Sequence, residues 1–458
     1  MFPPKSNVAV LDLTHAGIII AQRLAEYGMN VIAVDVYNTV DEVTLSMLGN
    51  DFGITVSKNV IPIDDIDFIV SPVHLDPGYE MLKDVRGKGK KIISHHLAVG
   101  MILSYGRVLD GVKVIEVTGS KAKTSTTSLL ADMLSRVMVV ALHTSRGLEV
   151  WENGEAERIY SGLSIAPGSI LLAVDKLKSE GINVDCCILE VSIGGTGYAD
   201  IGIITTLEPD YAIARSSSKA SDAKLSMIEY RKDESVLLLN IRDEKAVMKA
   251  NKLGKKFLTF SDSKDMKSDF RMEFDGKKVM LFSGDVELTA DVNPFYNASS
   301  YVTAFAAAGA VALHMGVGED VIVQAISGFT GLAGRMQEKK VNGRVLIDNS
   351  NSGMDIRSVE KSLDYGLAKV SDRIATKVVM VLGEEAAQVC EGLPPENVAE
   401  FVERRIKDID VLILVGERMR AVTPENMIYA SHLEEGLEQA FRISSEDDLI
   451  LSCVKCFR

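Results

Sequence analysis

Short apolar runs alternate with longer amphipathic stretches along most of the chain. Between Val8 and about Arg107 the β-branched runs VAVLD, NVIAVD, DFIVSP and KKIISH are separated by helical stretches such as IIIAQRLAEYG. Because short buried strands that alternate with amphipathic helices are typical of βαβ units, this pattern predicts an α/β fold with a parallel sheet.

Two further α/β units follow. The second opens with VKVIEVTG and the helical stretch TSTTSLLADMLSRV, and continues through CCILEVS, GIITTL and SVLLLN. In residues 261–292, apolar and polar positions alternate on both sides of the turn signal Asp275-Gly276, and this pattern predicts a β-hairpin insertion. The third contains RVLIDN, KVVMVLG, VLILVG and LILSCV. The predicted domains are residues 1–107, 108–329 and 330–458.

Length and composition agree with a globular enzyme. The 458 residues exceed a single core of roughly 150, and 47% are hydrophobic against 25% charged. A formal charge of −14 opposes binding to nucleic acid. The start MFPPKSNVAVLDL lacks a signal-peptide pattern, and we find no run of ~18 apolar residues that could span a membrane. We therefore expect a cytoplasmic protein with no nucleic-acid or membrane partner.

The cysteines give little sign of a disulfide framework or a metal site. Five cysteines in so long a chain, among them the adjacent Cys186 and Cys187, suit a reducing compartment. Zinc at Cys453 and Cys456 would need a second pair of ligands, which the sequence does not mark.

A candidate phosphate loop follows the strand VIEVT. A strand, a tight loop and a helix start direct backbone N–H groups and the positive end of a helix dipole toward one point, which suits a polyphosphate. Lys123 can reach the β and γ phosphates, and the Thr124 hydroxyl can bind Mg²⁺. An ordinary turn with a solvated lysine is the alternative, because Val117 and Ala122 stand where the standard motif has glycine. The predicted nucleotide-binding residues here are Gly119, Ser120, Lys121, Ala122, Lys123, Thr124 and Ser125.

The run VTGSKAKTSTTSLLADML resembles the ATP loop of the Mur ligases. Val117 is then a family feature, whereas Ala122 is a departure from it. The resemblance continues in family order through residues 71–72, 188–192, 204–211, 223–224, 239–243, 294–297, 334–336 and 348. It implies an α/β fold of three domains, with an N-terminal Rossmann-like domain, a central P-loop ATPase domain and a C-terminal Rossmann-like domain. The implied activity is an ATP-dependent ligase that uses ATP and Mg²⁺ to convert a carboxylate into an acyl phosphate.

The resemblance also implies roles in the central domain. Glu190, at the end of an apolar strand, would hold Mg²⁺, and Lys224 matches the lysine that the family carbamylates. An exposed glutamate and a plain surface lysine are the alternatives. Tyr211 stands where relatives have a metal-binding histidine, which argues against a second Mg²⁺ site.

Three more residues are implied to contact the nucleotide. Asn297 would contact adenine, Arg335 would stabilise the transferring phosphoryl group, and Asp348 would contact the ribose. The alternatives are a helix cap for Asn297, a surface ion pair for Arg335 and a loop cap for Asp348. Asn349-Ser350-Asn351-Ser352 stands where many relatives have a lysine or histidine.

The first domain should bind the substrate. His15, His74, His95 and His96 all follow strand patterns, so they should gather along the carboxyl edge of the sheet, where ligands bind. Such a group suits a substrate with several carboxylates or a metal, and scattered surface histidines are the alternative. A dinucleotide is less expected, because the LTHAG segment lacks the glycine triad.

Several segments resemble one branch of the family in particular. SPVH, SHHLAVG, SIAPGS and EVSIGGTGYADIG are similar to the Mur-type enzymes with which methanogenic archaea complete the nickel coenzyme F-430. This implies that a propionate of a nickel-containing polycarboxylate tetrapyrrole is activated, so that a carbon nucleophile closes the last carbocyclic ring. Two alternatives stay open, an amide-forming ligase of pseudomurein peptide synthesis and a non-catalytic nucleotide-binding regulator.

Overall fold

The computed structural model describes residues 5–372, 375–385, 393–423 and 427–456. The chain divides into two compact units. The first is built from the chain up to Glu273 together with Val279–Thr289 and Val302–Ala325, and the second from Phe274–Lys278, Ala290–Tyr301 and the chain from Ile326 onward. The three-domain boundaries at 107 and 330 stay a prediction. Within the described residues, no helix combines the length and apolarity that a membrane crossing needs.

The first unit begins with a five-stranded parallel sheet in the order β3-β2-β1-β4-β5. Its strands are β1 Asn7–Leu11, β2 Asn30–Val34, β3 Thr55–Ser57, β4 Phe68–Ser71 and β5 Lys91–Ser94. Its helices are α1 Ile18–Glu26, α2 Glu42–Phe52, α3 Glu80–Gly87 and α4 His95–Gly106. Val8 and Val10 enter one apolar core while Ala9 and Leu11 enter another, so β1 is covered on both faces, as the run VAVL predicts.

Local sequence signals set the ends of these helices. Asp41 accepts a hydrogen bond from Thr44 N at 2.9 Å and caps the start of α2, and Gly53 ends it in the left-handed region at φ 65°. Ser94 caps α4 by accepting from Leu97 N at 3.1 Å. Because Ser94 also ends β5, α4 starts directly at the carboxyl edge of the sheet.

A second, larger sheet has eleven strands in the order β18-β17-β16-β15-β14-β11-β6-β10-β7-β8-β9. Its strands are β6 Lys113–Thr118, β7 Val140–Thr144, β8 Gly147–Glu152, β9 Glu155–Tyr160, β10 Cys186–Glu190, β11 Ile201–Ile204, β14 Val236–Asn240, β15 Leu258–Ser261, β16 Phe270–Phe274, β17 Lys278–Ser283 and β18 Val286–Asp291. A short antiparallel pair, β12 Ala212–Ile213 and β13 Ser218–Lys219, lies apart from it. The accompanying helices are α5 Lys123–Ser135, α6 Pro167–Ser179, α7 Ala220–Lys224, α8 Ser226–Tyr230, α9 Glu244–Lys252, α10 Val302–His314 and α11 Glu319–Gly328.

The predicted hairpin is present, and it forms part of the large sheet. The turn at Asp275-Gly276 is present, and the Asp275 side chain accepts hydrogen bonds from Lys277 N and Lys278 N. The turn joins β16 to β17, which are neighbours in the sheet, and β18 lies beside β17 at the sheet edge. The segment is therefore an extension of the sheet edge, because β16 pairs in parallel with β15 and offers its own free edge to β17.

The second unit contains a six-stranded sheet in the order β19-β20-β24-β21-β22-β23. Its strands are β19 Gln337–Val341, β20 Arg344–Asp348, β21 Val378–Glu384, β22 Val411–Val415, β23 Met427–Ala430 and β24 Leu449–Lys455, and its helices are α12 Ile356–Ser371, α13 Pro395–Arg405 and α14 Leu433–Ile443. Only the β19–β20 pair is antiparallel among the described pairs of this sheet. Apolar clusters cover both faces, as a doubly wound sheet requires.

Candidate functional site

Three neighbouring parallel strands define the candidate site. Strand β6 lies between β10 and β11, and in this register Glu190 is level with Val117 while Ile204 is level with Thr118. The carboxyl ends of the three strands therefore meet at one edge of the sheet. Because this edge is where parallel α/β sheets bind ligands, the side chains and loops that follow these strands are the first candidates for chemistry.

The loop after β6 is tightly held by the segment after β11. Gly119 has φ +151°, and a Cβ there would lie 2.0 Å from Thr205 Oγ1, so only glycine fits. Thr205 Oγ1 donates to Lys121 O at 2.6 Å, and Ser120 N donates to Thr206 O at 2.6 Å. These bonds fix the backbone of the loop against the neighbouring strand end.

The loop leads directly into helix α5. Ala122 precedes the helix in the left-handed region, at φ 65° and ψ −2°. Lys123 begins the helix, is half-buried, and donates from Nζ to Gly119 O at 3.0 Å. Thr124 and Ser125 follow in the first turn and are buried. The predicted phosphate-binding residues thus form one loop at the positive end of a helix dipole, a geometry suited to a polyphosphate.

Lys224 lies inside the protein beside this loop. Its side chain is only 1% exposed, and Nζ donates to Ser120 Oγ at 2.9 Å. Nζ also lies 4.7 Å from the centroid of the Tyr211 ring, within the range of a cation–π contact. The alternative of a plain surface lysine is therefore wrong. Helix α7 brings Lys224 to the phosphate loop across a long separation in sequence.

Glu190 is also buried, at 3% exposure, so the alternative of an exposed glutamate is wrong. Its Oε2 has no hydrogen-bond partner within the described residues. A buried carboxylate oxygen without a donor is unfavourable unless a cation neutralises it. Glu190 at this sheet edge, with the Thr124 hydroxyl in the adjacent helix turn, therefore offers the hard oxygen ligands that suit a divalent metal.

Two residues at and just after the end of β14 support the segment that follows β11. Both carboxylate oxygens of Asp243 lie 3.0 Å from Leu207 N, and Asn240 Nδ2 donates to Thr205 O at 2.9 Å. Burial raises the pKa of Asp243 to about 6. Sequence reasoning matched both residues to the family without giving them a role, and the structure shows that they hold the segment that in turn holds the phosphate loop.

Asn297, Arg335 and Asp348 all lie in the second unit. Asn297 Oδ1 accepts from Ser299 N at 3.2 Å and from Ser299 Oγ at 2.7 Å, which is the capping contact considered as its alternative. Asp348 is buried at the end of β20 and accepts from Gly334 N at 3.1 Å. Because Gly334 precedes Arg335 in the chain, this bond places the Asp348 side chain next to the backbone segment that carries Arg335. Their nucleotide contacts stay a prediction.

A carboxylate that sequence reasoning missed organises two of the four histidines. Asp12 is fully buried at φ 66° and ψ 88°, directly after β1. His15 Nδ1 lies 2.8 Å from Asp12 Oδ2, and His74 Nε2 lies 3.4 Å from the same oxygen. Burial acts to raise the pKa of Asp12, but the contacts with His15 and His74 hold that pKa well below its ordinary value. The hydrogen bond with Asp12 raises the pKa of His15. The signal in sequence was an aspartate immediately after a buried strand.

His95 and His96 are placed differently. Both are buried in the first turn of α4, and their Nε2 atoms lie 2.9 Å from Leu11 O and 2.6 Å from Ser192 O. Burial lowers the pKa of His95 to about 3 and that of His96 to about 4, so both rings are neutral near pH 7. The four histidines do gather at one edge of the sheet, but two are enclosed rather than on an open rim. Substrate contact by any of them stays a prediction.

Comparison with known proteins identifies the family. Residues 117–308 match the model of the Mur ligase middle domain, and residues 338–456 match the model described as "Coenzyme F430 synthetase CfbE, C-terminal domain". Coenzyme F(430) synthetase of Methanosarcina acetivorans is 50% identical over 468 residues, covering 99% of each chain. The chain belongs to the coenzyme F430 synthetase family of Mur ligases. The resemblance seen in the sequence is therefore confirmed.

Solved structures agree on the fold. The bifunctional folylpolyglutamate synthase/dihydrofolate synthase of Yersinia pestis, complexed with AMPPNP and a Mn ion, matches with a TM-score of 0.59 at 16% identity, over 78% of this chain and 90% of that one. MurF of Thermotoga maritima, in complex with ADP, matches with a TM-score of 0.57 at 12% identity, over 92% and 90%. The predicted α/β architecture of Mur ligase type is confirmed. As a member of the coenzyme F430 synthetase family, the chain is an ATP-dependent ligase, which excludes the non-catalytic regulator.

Proposed function

We propose that this ligase activates a propionate carboxylate of a nickel-containing seco-tetrapyrrole precursor as an acyl phosphate. A carbon nucleophile of the same substrate then displaces phosphate and closes the last carbocyclic ring, so that ATP becomes ADP and phosphate. The observation that carries this proposal is the 50% identity to a coenzyme F(430) synthetase over 99% of both chains. Identity at that level along the whole chain supports a shared substrate class as well as a shared fold.

The phosphate loop suits the nucleotide part of this reaction. Lys123 follows the glycine turn at the start of α5, where its ammonium can move from Gly119 O onto a phosphate oxygen. The loop residues from Gly119 to Ser125 would contribute backbone N–H groups. Phosphoryl transfer gains most from positioning and from charge neutralisation, both of which this loop can supply.

Glu190 and Thr124 are the proposed metal ligands, with Mg²⁺ as the ion. Glu190 Oε2 has no hydrogen-bond partner in the described part of the chain, and both side chains are buried, which supports this assignment. A bound Mg²⁺ would supply positive charge that offsets the repulsion between a nucleotide and a carboxylate. Mg²⁺ prefers carboxylate and hydroxyl oxygens, which these two residues offer.

Lys224 is the proposed link between nucleotide and carboxylate. Its contact with Ser120 Oγ puts the amine next to the loop, and its burial suits a group that acts on an unstable intermediate away from water. As in relatives, carbamylation would replace the ammonium by an anionic group able to bind a second cation. Because Tyr211 replaces the histidine that would complete a second cation site, the role that we favour for Lys224 is stabilisation of the acyl phosphate.

The remaining proposed contacts lie further from the loop in sequence. Asn297 would contact adenine, Asp348 the ribose and Arg335 the transferring phosphoryl group. The nickel tetrapyrrole, as a polycarboxylate, would lie near the histidines of the first sheet, namely His15, His74, His95 and His96. A cytoplasmic location is part of the same proposal.

Turnover of the predicted substrate tests this function. The protein is incubated with MgATP and the nickel seco-tetrapyrrole, while the absorption spectrum and ADP are followed together. We expect the tetrapyrrole product, measured from the spectral change, and ADP to form in equal amounts without any added amine. Lys123→Ala should abolish both, whereas Lys178→Ala, at an exposed position of α6, should change neither. ADP release that requires an added amine would instead support an amide-forming ligase, and an unimpaired Lys123→Ala variant would refute the proposed site.

A further inference from the structure

Three potential metal ligands converge at the carboxyl edge of the first sheet. Asp12 follows β1, His15 lies in the turn before α1, and His74 lies in the loop after β4. His15 Nδ1 and His74 Nε2 lie 2.8 Å and 3.4 Å from Asp12 Oδ2, and all three ligand atoms lie within 4.8 Å of one another. Ligand atoms on one transition-metal ion lie roughly 3 to 3.5 Å apart, given bond lengths of about 2.0–2.2 Å. Small side-chain adjustments would therefore allow all three to bind one ion.

The ring of His74 gives an independent indication. Its Nε2 is buried and makes no hydrogen bond within the described residues, although it lies 3.4 Å from Asp12 Oδ2, the oxygen that His15 already contacts. A buried nitrogen without a partner is costly unless something else satisfies it. A metal ion between Nε2 and the carboxylate would do so, because it binds both atoms through their lone pairs.

The backbone that carries Asp12 is held in an unusual conformation. Asp12 lies in the left-handed region at φ 66° and ψ 88°, and Ala16 has φ 124° and ψ −10°, a combination that L-residues rarely adopt. The close approach of Gly17 to Asp12 O, 2.3 Å from an ideal Cβ, shows how tightly this turn is closed. Strain of this kind is retained where the surrounding structure fixes a functional geometry.

The donor set selects a class of ion. Two imidazole nitrogens and one carboxylate oxygen suit borderline divalent metals such as Zn²⁺ and Ni²⁺, whereas Mg²⁺ prefers oxygen alone. The side chains of His15 and His74 are 36% and 33% exposed while that of Asp12 is 0% exposed, so the carboxylate forms the floor and the two rings the open side. We propose that Asp12, His15 and His74 bind one divalent transition-metal ion. This site is separate from the Glu190 site and does not depend on the proposed function, because it requires neither ATP nor tetrapyrrole.

A titration with Zn²⁺ alone tests the proposal. The full chain is stripped with a chelator, and Zn²⁺ binding is measured by competition with a chromophoric chelator, without nucleotide or substrate. We expect one stoichiometric site, no competition from excess Mg²⁺, and an X-ray absorption spectrum with two imidazoles. His15→Ala and His74→Ala should each weaken binding at least about 100-fold, since even outer-shell changes cost 10–100-fold. His314→Ala, at an exposed histidine that ends α10, is the matched control and should bind as the wild type does.

Folding of the variants is checked by thermal unfolding of the metal-free forms. His15 and His74 are partly exposed, so water can reach Asp12 Oδ2 in their alanine variants. Asp12 Oδ1 keeps its bonds from Thr14 N and His15 N, so these variants should unfold close to the wild-type temperature. The proposal fails if the wild-type chain binds no stoichiometric Zn²⁺. It also fails if the double variant of His15 and His74 still binds with wild-type affinity, because the ion would then be held elsewhere.

Discussion

Substitution of Lys224 by methionine separates the chemistry of this lysine from its contribution to the fold. Methionine keeps a long unbranched stem in a site that is 1% exposed, but it removes the amine. Ser120 Oγ still donates to Leu207 O at 2.9 Å, so this hydroxyl keeps its acceptor after the substitution. The perturbation is therefore confined to the charge and to the bonds that the amine makes.

Two opposing changes in the free energy of unfolding can be estimated. The hydrogen bond from the charged amine to Ser120 is worth about 1.5–3 kcal/mol, and the contact with the Tyr211 ring up to about 2 kcal/mol. Against this loss, the variant no longer pays to dehydrate a buried charge, which costs several kcal/mol. The two changes nearly cancel, so we expect Lys224→Met to alter the free energy of unfolding by no more than about 2 kcal/mol.

The same variant should lose its activity. ADP formation with the seco precursor should fall at least about 100-fold, the usual loss when a positioned charge-stabilising group is removed. Urea denaturation and the ADP assay are run on the same preparation. Lys245→Met is the matched control, because Lys245 is 46% exposed and bonds to the buried Ser221 and the exposed Asp222 of helix α7 rather than to the phosphate loop. It should keep full activity and change stability by less than about 1 kcal/mol.

Either of two results would refute this reasoning. Activity within about threefold of the wild type would show that the amine takes no part in the chemistry. A loss of stability well above about 3 kcal/mol would show that the amine is worth more to the fold than its dehydration costs.

Three further predictions follow from buried groups in the first unit. Glu190→Gln should reduce ADP formation at least about 100-fold and raise the Mg²⁺ concentration needed for half-maximal rate, as a metal titration would show. Gly119→Ala should cost about 2–5 kcal/mol in urea unfolding, since its Cβ would lie 2.0 Å from Thr205 Oγ1 at φ +151°. Burial lowers the pKa of His143 from 6.5 to about 4, so only the unfolded chain gains a proton there between these values. The free energy of unfolding should therefore fall by about 1.4 kcal/mol per pH unit as the pH drops from 6.5 to about 4. His143→Gln should remove this contribution to the pH dependence of the free energy of unfolding.

Each of these has a distinguishing control. Glu152→Gln, at an exposed end of β8, should leave the Mg²⁺ dependence unchanged. Gly87→Ala, in α3 with open space at the Cβ position, should be neutral or stabilising by up to about 1 kcal/mol, and a similar result for Gly119→Ala would contradict the packing argument. Equal pH slopes for the wild type and His143→Gln would show that this histidine does not titrate as described.

Local patterns in the sequence determined the strands, the helices and the phosphate loop. The loop lies within a single strand–turn–helix segment, so the order glycine, lysine and hydroxyl residue after an apolar strand defines it without any distant partner. The motif order along the chain also gave the Mur ligase family, which the comparisons confirm. These features depend on hydrophobic periodicity and on turn chemistry, and neighbouring residues supply both.

Only the tertiary structure decided which polar side chains are buried and what they meet. The sequence is compatible with Lys224 on a helix surface, but in the structure helix α7 brings it to Ser120. The sequence is also compatible with an exposed Glu190, but its Oε2 is enclosed and has no donor among the residues that the structure describes. Asp12 had no visible partner in sequence, yet His15 and His74 both approach it. The physical reason is that the charge state and ligand chemistry of a buried group depend on dehydration and on contacts between distant elements, neither of which a linear pattern encodes.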